Sequence, residues 1–245
     1  MSETTADAAP KYGCFTTVRV EALPCGDGIG VRGWGLHVER LQRDTRALYG
    51  SSVAVSAMAT ALHRGVAESG LALPHLVRLA VESASLQAEV TSRGLTPSAH
   101  PLRVAALRHD RMRPTMKHTA TAPEFALRDT AIAAGYDDAV MLTADGTLTE
   151  GTTWSLVLGR PDGTWVTPAG PVLPSVTVAL VGARVPIEHR IVTASDLEGF
   201  TAAAALGSGR GVHPIASIGS VAFAGRVDVL REAYAAVPPE PVALP

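Results

Sequence analysis

The chain has 245 residues, 47% of them hydrophobic and 18% charged, with a formal net charge of −2. That balance belongs to a folded globular protein and excludes a disordered one, and the near-neutral charge gives no reason to propose nucleic acid or an anionic membrane as partner. With only two cysteines, Cys14 and Cys25, no secretory signal and no apolar run long enough to cross a bilayer, a reduced cytoplasmic setting is expected.

Met1 to Pro10 reads as a loose polar tail. Cys14 to Val20 alternates like a half-buried strand, and Pro24 with Gly26, Gly28 and Gly30 reads as a turn. A helix is expected from Gly35 towards Leu48, with His37 and Arg40 on one face by their i, i+3 spacing. A second helix is expected over 51–70, ending at Gly70, with His63 on its polar face. Leu76 to Val81 and Leu102 to Leu107 read as strands, with a loop over Thr91 to Pro101. The polar, basic stretch 108–114, closed by Pro114, reads as a linker between an N-terminal domain (1–107) and a larger C-terminal one (115–245).

Beyond the linker, Pro123 to Ala134 has helical spacing, with Phe125, Leu127, Ala131 and Ile132 as its apolar set and Gly135 as its stop. Ala139 to Leu142 reads as a buried strand, Asp145-Gly146 as a tight turn, Thr147 to Glu150 as the return strand and Trp154 to Leu158 as a third. A helix over 178–185, a short strand over 187–192 and a helix start capped by Thr193 or Ser195 follow. Phe200 to Leu206 is a buried-looking apolar segment, a glycine-rich loop leads into Val212-His213-Pro214-Ile215, and Asp228 to Ala236 closes the chain as a helix before a proline-rich tail.

The order Lys117, helix, Gly135, apolar strand, Asp145-Gly146, Thr149-Glu150-Gly151 and Leu173-Pro174-Ser175-Val176-Thr177 resembles the class IV aminotransferases, pyridoxal-phosphate (PLP) enzymes of fold type IV. That family includes branched-chain and D-amino-acid aminotransferases and 4-amino-4-deoxychorismate lyase. His37-Val38-Glu39-Arg40-Leu41 resembles the family's His-x-x-Arg-Leu, and Gly13 to Val20 its first strand in the lyase branch. The resemblance implies a two-domain α/β protein, α+β in arrangement, with the D-amino-acid aminotransferase-like fold, a homodimeric assembly and PLP as cofactor.

It also implies roles. Lys117 would be the catalytic lysine that carries the cofactor; independently of the resemblance, the only other lysine is Lys11 in the tail, and arginine cannot form a Schiff base. Glu150 would face the pyridine nitrogen, Arg40 would bind the phosphate, and Ser175, Val176 and Thr177 would complete the anion cradle, with Ser155 nearby. Phe15, Thr17, Gly207 and Ser208 would border the substrate, a small amino acid or an aminodeoxychorismate-like molecule. Ser155 stands where the family usually has Asn, Ser175 where it has Gly, Val178 where Arg is common, and Gly207 where Asn or Thr is often found. Three functions follow from the resemblance: amino-group transfer between an amino acid and a 2-oxo acid, elimination of pyruvate from 4-amino-4-deoxychorismate, and PLP binding without turnover.

Overall fold

The computed structural model describes residues 12–244 apart from 25, 27, 97 and 99. The expected tail, Lys11 and Cys25 therefore lie outside the described residues, as does part of the glycine-rich turn at 26–30. Five strands form a first sheet: β1 (Cys14–Ala22), β2 (Ile29–Val31), β3 (His75–Val81), β4 (Glu89–Arg93) and β14 (Glu240–Pro241). Its order is β14-β2-β1-β3-β4, all antiparallel. Alternation on β1 sends Cys14, Thr16, Val18 and Val20 to one face, against α1 (Trp34–Tyr49) and α2 (Val55–Ser69). Leu41, Met58 and Leu62 fill that layer with no exposed surface.

The second sheet is curled and nine-stranded. It contains β5 (Leu102–Arg108), β6 (Asp138–Leu142), β7 (Leu148–Gly151), β8 (Ser155–Gly159), β9 (Trp165–Pro168), β10 (Ile187–Arg190), β11 (Ala202–Gly207), β12 (Gly211–Ile218) and β13 (Val221–Ala222). The main path runs β10-β9-β8-β11-β12-β5-β6-β7, with β13 beside β12. Leu102, Val140, Leu148, Leu156 and Phe200 pack on its inner side. Outside, α4 (Val176–Gly182) and α5 (Asp228–Ala235) cover Val157 and Leu206, and α3 (Ala122–Ala133) covers Ala105 and Ala139. No helix among the described residues is long and apolar enough to cross a membrane.

Most expected elements appear within a residue or two. The differences have physical reasons. The loop expected from Thr91 overlaps β4, an edge strand whose polar residues alternate half-buried and exposed and so carry no apolar signal. The expected turn at 26–30 runs into β2, and the expected proline-rich tail returns as β14 to pair with it. The helix start at Thr193 is a 3-10 turn, Ala194–Gly199, closed by a reciprocal bond between Thr193 and Asp196. β5 pairs with β12 and β6 and so belongs to the second sheet. On α3, the expected apolar face is only partly kept: Leu127 and Ala131 pack inward. Phe125 and Ile132 are 46% and 50% exposed, while Glu124 is only 2% exposed. The small Ala131 is what lets the helix lie close on Ala105 and Ala139.

Candidate active site

Lys117 follows the expected linker in sequence but is stitched to the first sheet. The Phe15 amide donates to the Lys117 carbonyl (2.9 Å), the Lys117 amide donates to Asp44 Oδ2 (3.0 Å), and the Thr119 amide donates to the Gly13 carbonyl (2.9 Å). Gly13 has to be glycine, since a Cβ there would lie 2.1 Å from the Val81 carbonyl oxygen. Held in this way, the Lys117 ammonium group lies 4.8 Å from the centre of the Phe15 ring, which also stacks under Arg78 at 4.1 Å. Thr17, on the same face of β1 as Phe15, is the register partner of Arg78.

Burial pulls the Lys117 amine down to about 7, helped by Arg40, Arg111 and Arg78 and opposed by Glu150. Glu150 is pushed up to about 7, also by burial, against the pull of Arg111, Lys117 and the Leu173 amide. Glu150 sits at the end of β7, where its Oε1 accepts from the Leu173 amide (3.2 Å) and from Arg111 Nη1 (3.3 Å). The hairpin loop beyond it is fixed by Asp138, a buried carboxylate that accepts from the Thr152 hydroxyl (2.6 Å) and the Trp154 indole (3.0 Å).

Arg40 projects from α1, buried, with an Nε that has no hydrogen-bond partner. Its Nη2 donates to the Thr16 hydroxyl (2.9 Å) and lies 3.3 Å from His37 Nδ1. Burial and the neighbouring Arg40 hold His37 well below its ordinary value. A neutral ring with its proton on Nε2 satisfies the whole chain: Thr16 donates to Nδ1 (2.7 Å) and Nε2 donates to the Ser208 hydroxyl (3.2 Å). His37 thus ties the late loop of the second sheet to the first. Arg40 itself, lowered to about 10 chiefly by burial, stays a cation at neutral pH.

The segment Ser175-Val176-Thr177 opens α4. The Ser175 hydroxyl accepts from the Val178 amide (3.3 Å) as an N-cap, and Thr177 is buried. Val176 and Leu180 press on Gly33, the left-handed residue (φ 70°) that starts α1; a Cβ there would meet both at 3.0 Å. The turn at 175–177 and the helix of Arg40 are therefore neighbours. Ser155, at the start of β8, shares a cavity with Glu150, Leu173 and Ser175; Lys117, Arg40, Phe15, Thr17 and Ser208 do not border it. Gly207 sits beside the Thr153 carbonyl and Trp154. Sequence reasoning did not single out Arg78, Arg111, Glu124 or Asp138. Of these only Arg111 lay in a stretch with a signal of its own, the basic linker expected at 108–114.

A profile of the class IV amino-transferases matches residues 13–218. The chain belongs to the class IV aminotransferase family. No curated protein matches it significantly. Among solved structures, the fold IV-transaminase of Curtobacterium pusillum superposes with a TM-score of 0.77 at 19% identity, covering 96% of this chain and 92% of that one. A branched-chain aminotransferase from the archaeon Thermoproteus uzoniensis, solved with norvaline, gives 0.78 at 23% identity, covering 92% and 84%. A candidate 4-amino-4-deoxychorismate lyase from Legionella pneumophila gives 0.73 at 18% identity, covering 94% of each chain. The α/β fold with its curled sheet is thus that of fold type IV, and class IV aminotransferases are PLP-dependent enzymes.

Proposed function

We propose that this class IV aminotransferase family member uses PLP to move an amino group between an amino acid and a 2-oxo acid. The observation that carries the reading is the Lys117 amine, lowered to about 7 between Phe15 and a ring of buried charge. The chain's residues fit the cofactor. Arg40 is a buried cation with an unpartnered Nε and no ion pair among the described residues, which suits a phosphate dianion. The neighbouring 175–177 turn and Ser208 offer further donors. Glu150 offers a carboxylate to a ring nitrogen.

Bound PLP supplies an aldehyde and an electron-withdrawing ring. The rest falls to the protein. Lys117, half unprotonated near neutral pH, can attach as a nucleophile and can take up or release a proton at Nζ. Glu150 stabilises positive charge on a ring nitrogen, and Arg40 holds the phosphate end with its fixed charge. Phe15 forms an apolar wall that keeps water from the amine. A homodimer is part of this reading, and light scattering should give twice the chain mass.

The deciding experiment starts with purified protein and PLP. The mixture should turn yellow, and borohydride should fix the cofactor on Lys117; recovery of the label on Lys11, or a colourless protein, would sink the assignment. Single amino acids in excess should then convert the cofactor to its amine form. If none does, while 4-amino-4-deoxychorismate yields pyruvate with the yellow band retained, the chain is a lyase and the transfer reading fails.

A further inference from the structure

Glu124 is a carboxylate in an unexpected place. It stands in the first turn of α3, 2% exposed, on the face that turned inward when Phe125 and Ile132 turned out. Its bland role would be to cap its own helix. Yet the N-cap residue Thr121 makes no side-chain cap bond and no reciprocal bond to Glu124, so that role is not filled. One oxygen, Oε2, is buried with no partner, an arrangement that is costly and asks for an explanation. The other, Oε1, lies 3.5 Å from Arg111 Nε and 3.7 Å from His109 Nε2.

Every nitrogen of Arg111 has a partner. Its Nη1 donates to Glu150 Oε1 (3.3 Å) and the Pro114 carbonyl (2.8 Å), and its Nη2 to the Met116 carbonyl (3.1 Å), next to Lys117. One guanidinium therefore joins two buried carboxylates from different elements and braces the segment that carries the amine.

We propose that Glu124 is a positioning residue: it holds Arg111 through Nε while Glu150 takes Nη1, so that one cation is divided between two carboxylates and Glu150 keeps the high proton affinity with which it would pair with a protonated ring nitrogen. The last clause rests on the PLP reading; the division of Arg111 does not. Without Glu124, the whole charge of Arg111 would fall to Glu150. The carboxylate would then be ion-paired more fully from the protein side and would bind a proton, or a second positive partner, less tightly. The other charged or titratable groups facing this cluster are His109 from the expected linker, Lys117 and His118 from the stitched segment, and Arg40 from α1.

The test is read first on full-length protein without cofactor, with carbon-13 at the glutamate carboxyls and the Glu150 signal identified by its loss in Glu150→Gln. In wild type that signal should titrate near 7, the value to which burial pushes it. Glu124→Gln should move the midpoint down by about one unit, a tenfold loss of proton affinity, and Glu124→Asp should restore part of it. In an Arg111→Lys background the same Glu124→Gln change should add little, because the fork that links the two carboxylates is gone. An unmoved midpoint in Glu124→Gln overturns the proposal, as does an equal shift in the Arg111→Lys background, which would make the effect direct. Should Glu124→Gln not fold, Glu124→Asp decides: a midpoint identical to wild type overturns the proposal and a lowered one supports it. In PLP-loaded protein, Glu124→Gln should raise the cofactor Kd several-fold with Arg40 intact. A wild type that takes no PLP sinks the functional reading, while the cofactor-free titration still decides the role of Glu124.

Discussion

At the scale of single residues, Lys117, Glu150 and Arg40 are set apart from ordinary charged side chains by what surrounds them. Lys117 has lost solvent and gained cationic neighbours, Glu150 has lost solvent faster than it has gained partners, and Arg40 has kept its charge with an idle Nε. These differences separate their expected phenotypes. Glu150→Gln should retain PLP, because on the proposed reading Arg40 would hold the phosphate end, but slow turnover on the order of a hundredfold, typical of losing one oriented electrostatic partner. Arg40→Ala should chiefly weaken PLP binding, read as a raised Kd in an absorbance titration with turnover largely recovered at saturating cofactor. Normal affinity and normal rate in both variants would mean the two roles are misassigned. Lys117 was legible from the sequence because lysine is scarce: apart from Lys11 there is no other amine to consider. Arg111 and Glu124 were not legible. Each looks like a solvated charge until folding brings Arg111 between Glu124, 13 positions on, and Glu150, 39 positions on.

At the scale of elements, the turn chemistry was the most readable part. Gly50 and Gly70 end α1 and α2 in the left-handed region (φ 73° and 63°), and Gly146 (φ 85°) closes the turn after β6. Strands whose signal is polar or brief, such as β4 and β14, were missed because only their sheet neighbours make them strands. The partial rotation of α3, which keeps Leu127 and Ala131 inside but turns Phe125 and Ile132 out, was missed for a related reason. Periodicity says that a helix has an apolar side, but Ala131 and a long-range ion pair decided which side packs. The hairpin after Glu150 allows a sharp comparison of two glycines. A Cβ at Gly151 would sit 2.0 Å from the Trp154 indole and force it off Asp138, whereas at Gly207 the nearest atom is 3.7 Å away. Gly151→Ala should therefore destabilise the protein by about 1–3 kcal/mol, the usual range for overpacking, and Gly207→Ala by much less. Equal melting temperatures for the two variants would show that this loop is not held as described.

At the scale of the whole molecule, the buried titrating groups leave a mark on stability against pH. Glu150 binds its proton more tightly folded (about 7) than unfolded (4.5), so between those values the native state carries the extra proton and stability falls as pH rises. Lys117 binds its proton less tightly folded (about 7) than unfolded (10.5), so above 7 the unfolded state carries the extra proton and stability climbs. The cofactor-free protein should therefore show a dip near neutrality. On the acid side His37, neutral when folded, works the other way and lessens the slope below its ordinary value of 6.5. Thermal melts from pH 5 to 9 should show the dip in wild type. In Glu150→Gln the descending limb should flatten, by an amount on the order of a few kcal/mol at most. A monotonic wild-type profile would contradict the burial of the pair. The stitching of Lys117 to Gly13, Phe15 and Asp44 has a different consequence. The chain enters the curled sheet at β5 and then sends 115–119 back to pair with the start of β1. A fragment cut at the expected linker would end with a bare backbone edge at Gly13 and Phe15 and an interior Asp44 stripped of its amide partner. The two halves are thus not autonomous modules that could be exchanged between relatives at that seam; the backbone of Lys117 is the clasp that makes them one inheritance.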